Sequence, residues 1–149
     1  MKLYYSPGAC SLSDHIVLEW IAAPYETVRV SREERQTPAF RKLNPAGAVP
    51  VFEQDGWVLT QNAAILNYLA DKFPHAKLGG DGTPESRAED NRWLAFVNAD
   101  VHPAFKPLFG ATAYLEDAGF IEKSKEYART TIRGLLAQAD AQLAGGAHH

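Results

Sequence analysis

The stretch KLYYSPGACSLS, residues 2–13, sets the reading of this chain. KLYY (2–5) is a short apolar strand, SPGA is a Pro/Gly turn, and a helix runs from Ser11 to about Ala23. Leu12, Ile16, Val17 and Trp20 recur at helical spacing and mark that helix, with Ser11 or Ser13 placed to cap it. Cys10, the one cysteine of the chain, sits at the junction. A thiol beside a helix N-terminus feels free N–H groups and the positive end of the dipole, which predicts a lowered pKa and more thiolate. The alternative is a small buried hydrophobe. Position 13 is Ser, so there is no C-x-x-C pair, and a reactive Cys10 requires an outside thiol to complete a redox cycle.

Outward from this stretch, YETVRV (25–30) alternates as a second strand, SREERQ is a solvated charged loop, and PAFRKL is a short helix stopped by NPAG (44–47). VPVFEQDGWVLT (49–60) is a hairpin turning at Asp55-Gly56. QNAAILNYLADKF (61–73) is an amphipathic helix with Ile65, Leu66, Tyr68 and Leu69 facing inward, ended by Phe73-Pro74. The order β-α-β-α-β-β-α predicts a small mixed sheet with helices on its faces.

PHAKLGGDGTPES (74–86) reads as a linker, and Thr83, Pro84 and Glu85 make a good helix start. A long helix follows, with Trp93, Phe96, Val97 and Val101 on one face, kinked or ended by Pro103 and Pro107. Residues 120–146 form another, closed by Gly145-Gly146. Two such helices hardly close a core, so they are expected to pack on the first domain, on a partner or on further helices. The biological protein is therefore expected to be longer, with a C-terminal part missing here, and a free 149-residue form to aggregate or dimerise abnormally. His148-His149 also admits reading as a tag remnant.

The length allows one ordinary domain or two small ones. With 46% hydrophobic and 22% charged residues, the composition is that of a soluble globular protein. A net charge of -3 without a basic tract argues against nucleic acid, and the apolar runs are too short to span a bilayer. The N-terminus lacks the pattern of a signal peptide, and a lone free thiol suits a reducing compartment. A cytoplasmic protein is the expectation.

Two more stretches carry chemistry. In GAVPVF (47–52), a cis Val49-Pro50 bond would present the Val49 N–H and C=O to an extended peptide; an ordinary trans proline at a strand start is the alternative. In LTQNAAI (59–65), Thr60, Gln61 and Asn62 lie at a helix start, where anions bind; simple N-capping is the alternative.

The order strand–turn–Cys–helix, NPxGxVP, LTQNxAIxxYLAD resembles the glutathione transferases, and KLYYSPGACSLS is especially similar to the bacterial beta class. The resemblance implies a thioredoxin-like α/β domain over 1–75 that binds glutathione, a linker over 76–84, and part of an all-α domain over 85–149. Cys10 matches the cysteine that lies against the glutathione sulfur. Val49, before Pro50, would pair with the cysteinyl backbone, and Gln61 and Asn62 would hold the γ-glutamyl carboxylate. Asn62 departs from the Ser common at that position. Tyr5 stands where tyrosine-type classes keep a catalytic hydroxyl, with core packing as its alternative. His102 matches a histidine of the class, although Pro103 replaces the Lys that often follows. Phe105, Phe109 and Tyr114 would line an apolar electrophile pocket, or serve as core. Asp100 would reach a neighbouring subunit's glutathione amine, or be a solvated charge. Arg35 would contact the glycyl carboxylate.

The resemblance implies a cytoplasmic, homodimeric detoxification enzyme that conjugates glutathione to small apolar electrophiles, without a metal, nucleic acid or membrane partner. Cys10 adds the prospect of thiol-transferase or peroxide reductase activity. The rivals are a catalytically weak scaffold of the same fold that binds a protein, favoured by Asn62 and Pro103, and a glutathione-dependent isomerase or dehalogenase.

Overall fold

The computed structural model describes residues 1–145. Gly146, His148 and His149 lie outside the described residues, and with them the second half of the expected Gly-Gly stop and the tag remnant. The chain divides into two compact units between Gly79 and Gly80.

In the first unit, β1 (Lys2–Tyr5) leads into α1 (Ser11–Ile21), β2 (Glu26–Arg29), α2 (Pro38–Leu43), β3 (Val51–Gln54), β4 (Trp57–Thr60) and α3 (Asn62–Lys72). The four strands order as β2-β1-β3-β4. β1 pairs parallel with β2, across the α1 crossover, and antiparallel with β3, and β3 pairs antiparallel with β4. This is the thioredoxin-like mixed sheet. The hairpin turns at Asp55 and Gly56, whose φ angles of 51° and 82° are those a two-residue turn requires.

Strand alternation sends side chains to two separate cores. Leu3 and Phe52 join Leu18 and Ile21 of α1 and Ile65 and Leu69 of α3 in one cluster. Val51 turns the other way, to Val30, Phe40 of α2 and Val49. α2 opens on Thr37, whose Oγ1 accepts from the Phe40 N–H at 3.3 Å, with Pro38 at its first position.

The apolar repeat that marks α1 in the sequence is not its buried face. That face is Ser11, Asp14, Leu18 and Ile21, whereas Leu12, Ile16 and Trp20 are exposed, Trp20 by 69%. The helix thus turns two polar residues inward and leaves an apolar stripe outward. On α3, Ile65 and Leu69 are fully buried, and Leu66 and Tyr68 are half-buried.

The second unit begins with α4 (Pro84–Ala95), capped by Thr83, whose Oγ1 accepts from the Ser86 N–H at 3.2 Å. The helix widens into a π-helical segment over Phe96–Val101 and ends in the short turn α5 (His102–Ala104). Pro103 has no N–H to donate to the preceding turn, and the wider turn lies just before it. Pro107 falls in the 3-10 turn Lys106–Phe109, closed by Gly110 at φ 85°. Asp117 then caps α6 (Ala118–Ala144) by accepting from the Phe120 N–H at 2.9 Å. Among the described residues of this unit only Ala128 and Ile132 are buried. Val97, Phe109, Tyr114, Phe120, Tyr127 and Leu136 stay exposed. Among the described residues, no helix is long and apolar enough to cross a membrane.

Phe52 is fully buried, and its ring centroid lies 5.7 Å from that of Tyr68. Phe52→Ala is expected to cost about 3–5 kcal/mol, because both the transfer energy and the cavity term are lost. Chemical denaturation followed by circular dichroism reads this directly; a loss below about 1 kcal/mol would mean that the central cluster does not hold the sheet.

Candidate functional site

One end of the first unit's sheet gathers three backbone segments. The first is the start of α1. Cys10 is its N-cap residue and is half-buried, and its sulfur donates to the Val49 carbonyl oxygen at 3.8 Å. No side chain caps this helix. Ser13 Oγ donates back to the Cys10 carbonyl at 2.8 Å, and Ser11 Oγ donates to the Ser6 carbonyl at 3.4 Å, so neither serine plays the capping role read from sequence.

The second segment is the loop 44–50. Asn44 organises it from a buried position: its Nδ2 donates to the Ala48 carbonyl at 2.8 Å and its Oδ1 accepts from the Ala46 N–H at 3.1 Å. Gly47 stands at φ 60°, and a Cβ there would meet the Arg35 carbonyl at 2.9 Å, so glycine is needed for both conformation and space. The Val49-Pro50 bond is cis.

The third is the start of α3. Gln61 is its N-cap at φ 73°; it is exposed, and its side chain caps nothing. Asn62 behaves differently. Only 9% exposed, it directs its amide nitrogen at the start of α1, to the Cys10 carbonyl at 3.2 Å, Ser13 Oγ at 2.6 Å and Asp14 Oδ2 at 3.2 Å. The amide nitrogen that the resemblance gives to a ligand carboxylate here joins the two helices.

Asp14 is the residue that sequence reading missed. Its carboxyl is fully buried, and Oδ1 has no hydrogen-bond partner. Burial pushes its pKa up to about 7, against the opposing pull of the Asn62 amide and its own backbone N–H. The thiol of Cys10 is also raised, first by burial and then by the Asp14 charge. The Cys10 and Ser11 N–H groups pull the other way and lose. The helix start does supply donors, as expected, but desolvation reverses the predicted direction of the thiol's pKa.

Tyr5 ends β1, and its ring lies on the His15 imidazole, centroids 4.6 Å apart, packed against the first core cluster. Arg35 sits half-buried in the 3-10 turn Glu34–Gln36, with a buried Nε that has no hydrogen-bond partner. The remaining sequence candidates belong to the second unit. Asp100 lies in the π-helical segment and His102 opens α5, and both are exposed. The rings of Phe105 and Phe109 lie 6.4 Å apart. Tyr114, in the 3-10 turn Ala113–Leu115, is 78% exposed, and Phe109 is 73% exposed, so neither is core.

The description "Glutathione S-transferase, N-terminal domain" matches residues 1–71. Glutathione S-transferase GST-4.5 of Xanthomonas campestris pv. campestris is 59% identical over 145 residues, which are 97% of this chain and 71% of that protein. Among solved structures, a glutathione S-transferase from Xylella fastidiosa superposes with a TM-score of 0.92 at 49% identity, covering 95% of this chain and 69% of that one. A sphingomonad glutathione S-transferase complexed with glutathione superposes at 0.81 with 38% identity, covering 97% and 71%.

Asp14 binds its proton more tightly folded than unfolded. Its contribution to stability is therefore full at about pH 4 and is lost as pH rises through about 7. That loss is on the order of 3–4 kcal/mol for a carboxyl so displaced from its unfolded value. Asp14→Asn should remove it. Denaturation midpoints of the two proteins, compared from pH 4 to 8, should diverge in favour of the variant and stop diverging above about pH 7; a constant difference would show that Asp14 does not titrate in this range.

Proposed function

Because this chain belongs to the glutathione S-transferase family, we propose that it binds glutathione where α1, the Val49-Pro50 loop and α3 meet, and joins it through its sulfur to small apolar electrophiles. One observation carries the reading. The Cys10 sulfur lies 3.8 Å from the Val49 carbonyl while the Cys10 carbonyl lies 3.2 Å from Asn62, so a thiol, an extended backbone edge and a helix start converge. Those are the three features that a tripeptide thiol with a free α-carboxylate would use.

In this reading Val49 pairs its backbone with the cysteinyl residue of glutathione. The exposed amide of Gln61 and the unpaired N–H groups of the first turn of α3 take the γ-glutamyl carboxylate. Arg35, with its unpartnered Nε, takes the glycyl carboxylate. Tyr5 is read as packing rather than as the catalytic hydroxyl, since its ring lies on His15 and against the first core cluster. In the second unit, Phe105 and Phe109 offer the apolar surface that an electrophile needs, with Tyr114 and His102 nearby in sequence. Asp100, exposed on its helix, suits a contact to a second subunit of a homodimer.

Two reactions follow from the chemistry. In conjugation, the glutathione thiolate attacks the electrophile, a thioether bond forms, and the leaving group departs with the displaced electron pair. In exchange, the Cys10 thiolate attacks the glutathionyl sulfur of a mixed disulfide, forms a Cys10–glutathione disulfide and releases the substrate thiolate; a second glutathione thiolate then attacks that disulfide, frees Cys10 and leaves as oxidised glutathione. A raised thiol makes the second reaction faster at alkaline pH.

Intact-protein mass spectrometry after incubation with oxidised glutathione tests the site. One glutathionyl group on the wild type, none on Cys10→Ala, and reversal by reduced glutathione are expected, with faster addition at pH 8.5 than at 6.5 (roughly ten-fold or more). No adduct at either pH would remove Cys10 from the exchange reaction. For conjugation, Gln61→Ala should raise KM for glutathione by roughly ten-fold, the worth of one hydrogen bond to a charged group; an unchanged KM would take Gln61 out of the site.

A further inference from the structure

Asp14 has no role in the reading above, yet its carboxyl is fully buried with one oxygen unpartnered. Such a carboxyl is destabilising, and in a folded protein it calls for an explanation. It stands four residues after Cys10, which puts the two on the same face of α1. Asn62, at the start of the other helix, bridges them with one amide nitrogen, reaching the Cys10 carbonyl, Ser13 Oγ and Asp14 Oδ2.

We propose that Asp14 and Asn62 form a positioning pair for the Cys10 thiol, with Asn62 fixing the first turn of α1 and the Asp14 carboxyl setting how readily the thiol reacts. This rests on the reading of Cys10 as part of the glutathione site. The physical basis is a like charge behind the thiol in a poorly solvated place. When Asp14 is ionised, a second negative charge on the sulfur one turn away is disfavoured. When Asp14 is protonated, that opposition disappears. The pair thus makes Cys10 a restrained thiol rather than an activated one, and its reactivity follows a second ionisation besides its own.

The surroundings leave this control to the pair. α1 packs against β1, α3 and the 3-10 turn Pro74–Ala76. From α3, the group on the carboxyl is Asn62. From β1, Tyr5 lies on His15 and Tyr4 donates to Glu53. Lys72 of α3 donates to Tyr68, and His75 of the turn lies against Phe73. On α1 itself, Glu19 accepts from Tyr25, and the His15 ring lies between those of Tyr5 and Tyr25.

The test is the pH profile of Cys10 alkylation by iodoacetamide, which needs no glutathione and reports one site because the chain has a single cysteine. In the wild type, the logarithm of the rate should rise with pH, flatten near pH 7 as Asp14 ionises, and rise again before its plateau. In Asp14→Asn, the flattening should vanish, and alkylation at pH 8 should be at least about three-fold faster. The double-mutant cycle with Asn62→Ala should be non-additive in this rate. A wild-type profile with no break overturns the proposal without any variant having to fold. A break that persists in Asp14→Asn belongs to a group other than Asp14 and also overturns it, as does additivity in the cycle. Failure to form a glutathione adduct is a separate result and bears on the function alone.

Discussion

A single amide nitrogen holds the candidate site together. Asn62 Nδ2 donates from the first turn of α3 into the first turn of α1, reaching the Cys10 carbonyl, Ser13 Oγ and Asp14 Oδ2. Helix starts carry unpaired N–H groups and a partial positive charge, and two of them brought side by side would compete for any anion. Here the space between them is filled with acceptors: a carbonyl, a hydroxyl and a carboxyl. The bond to Asp14 is buried and the other two are partly so, and in such a poorly solvated place made bonds are strong and unmade ones costly. The orphaned Oδ1 of Asp14 is the price of that arrangement.

The sheet makes the encounter possible. The parallel β1–β2 pair needs the α1 crossover, and the antiparallel β3–β4 hairpin delivers α3 to the same face. Leu3 and Phe52 press against Leu18, Ile21, Ile65 and Leu69, which sets α1 and α3 side by side with their starts at one end. The loop before β3 arrives at that end too, shaped by Asn44 and by the close approach of Gly47 to Arg35. Cys10 and Val49, 39 residues apart in sequence, meet there.

Burial then decides the chemistry. The sequence places Cys10 where donors favour thiolate, and two N–H groups do act on the sulfur. Desolvation and the Asp14 charge outweigh them, so the thiol is restrained at neutral pH. A pKa is a balance of opposing contributions, and a linear sequence exposes only the local ones.

Local signals in the chain were enough for most elements. Pro/Gly turns, the Asp55-Gly56 hairpin, the Thr83-Pro84 helix start and the 3.6 period of Ile65 and Leu69 each act over a few residues, and each appears where its chemistry predicts. The motifs around Cys10, Val49-Pro50 and Gln61 were legible for the same reason. What sequence alone did not reveal was direction. Leu12, Ile16 and Trp20 have the spacing of a core face, yet α1 buries Ser11 and Asp14 instead, because the fold sets a polar partner, Asn62, against that side. A helix can turn either face inward, and periodicity does not choose when the inward face holds polar groups that find partners. Strands, helices, turns and the identity of the thiol follow from residue chemistry acting over a few positions; which groups surround that thiol follows from packing, because burial and long-range hydrogen bonds exist only once α1 and α3 lie on the sheet.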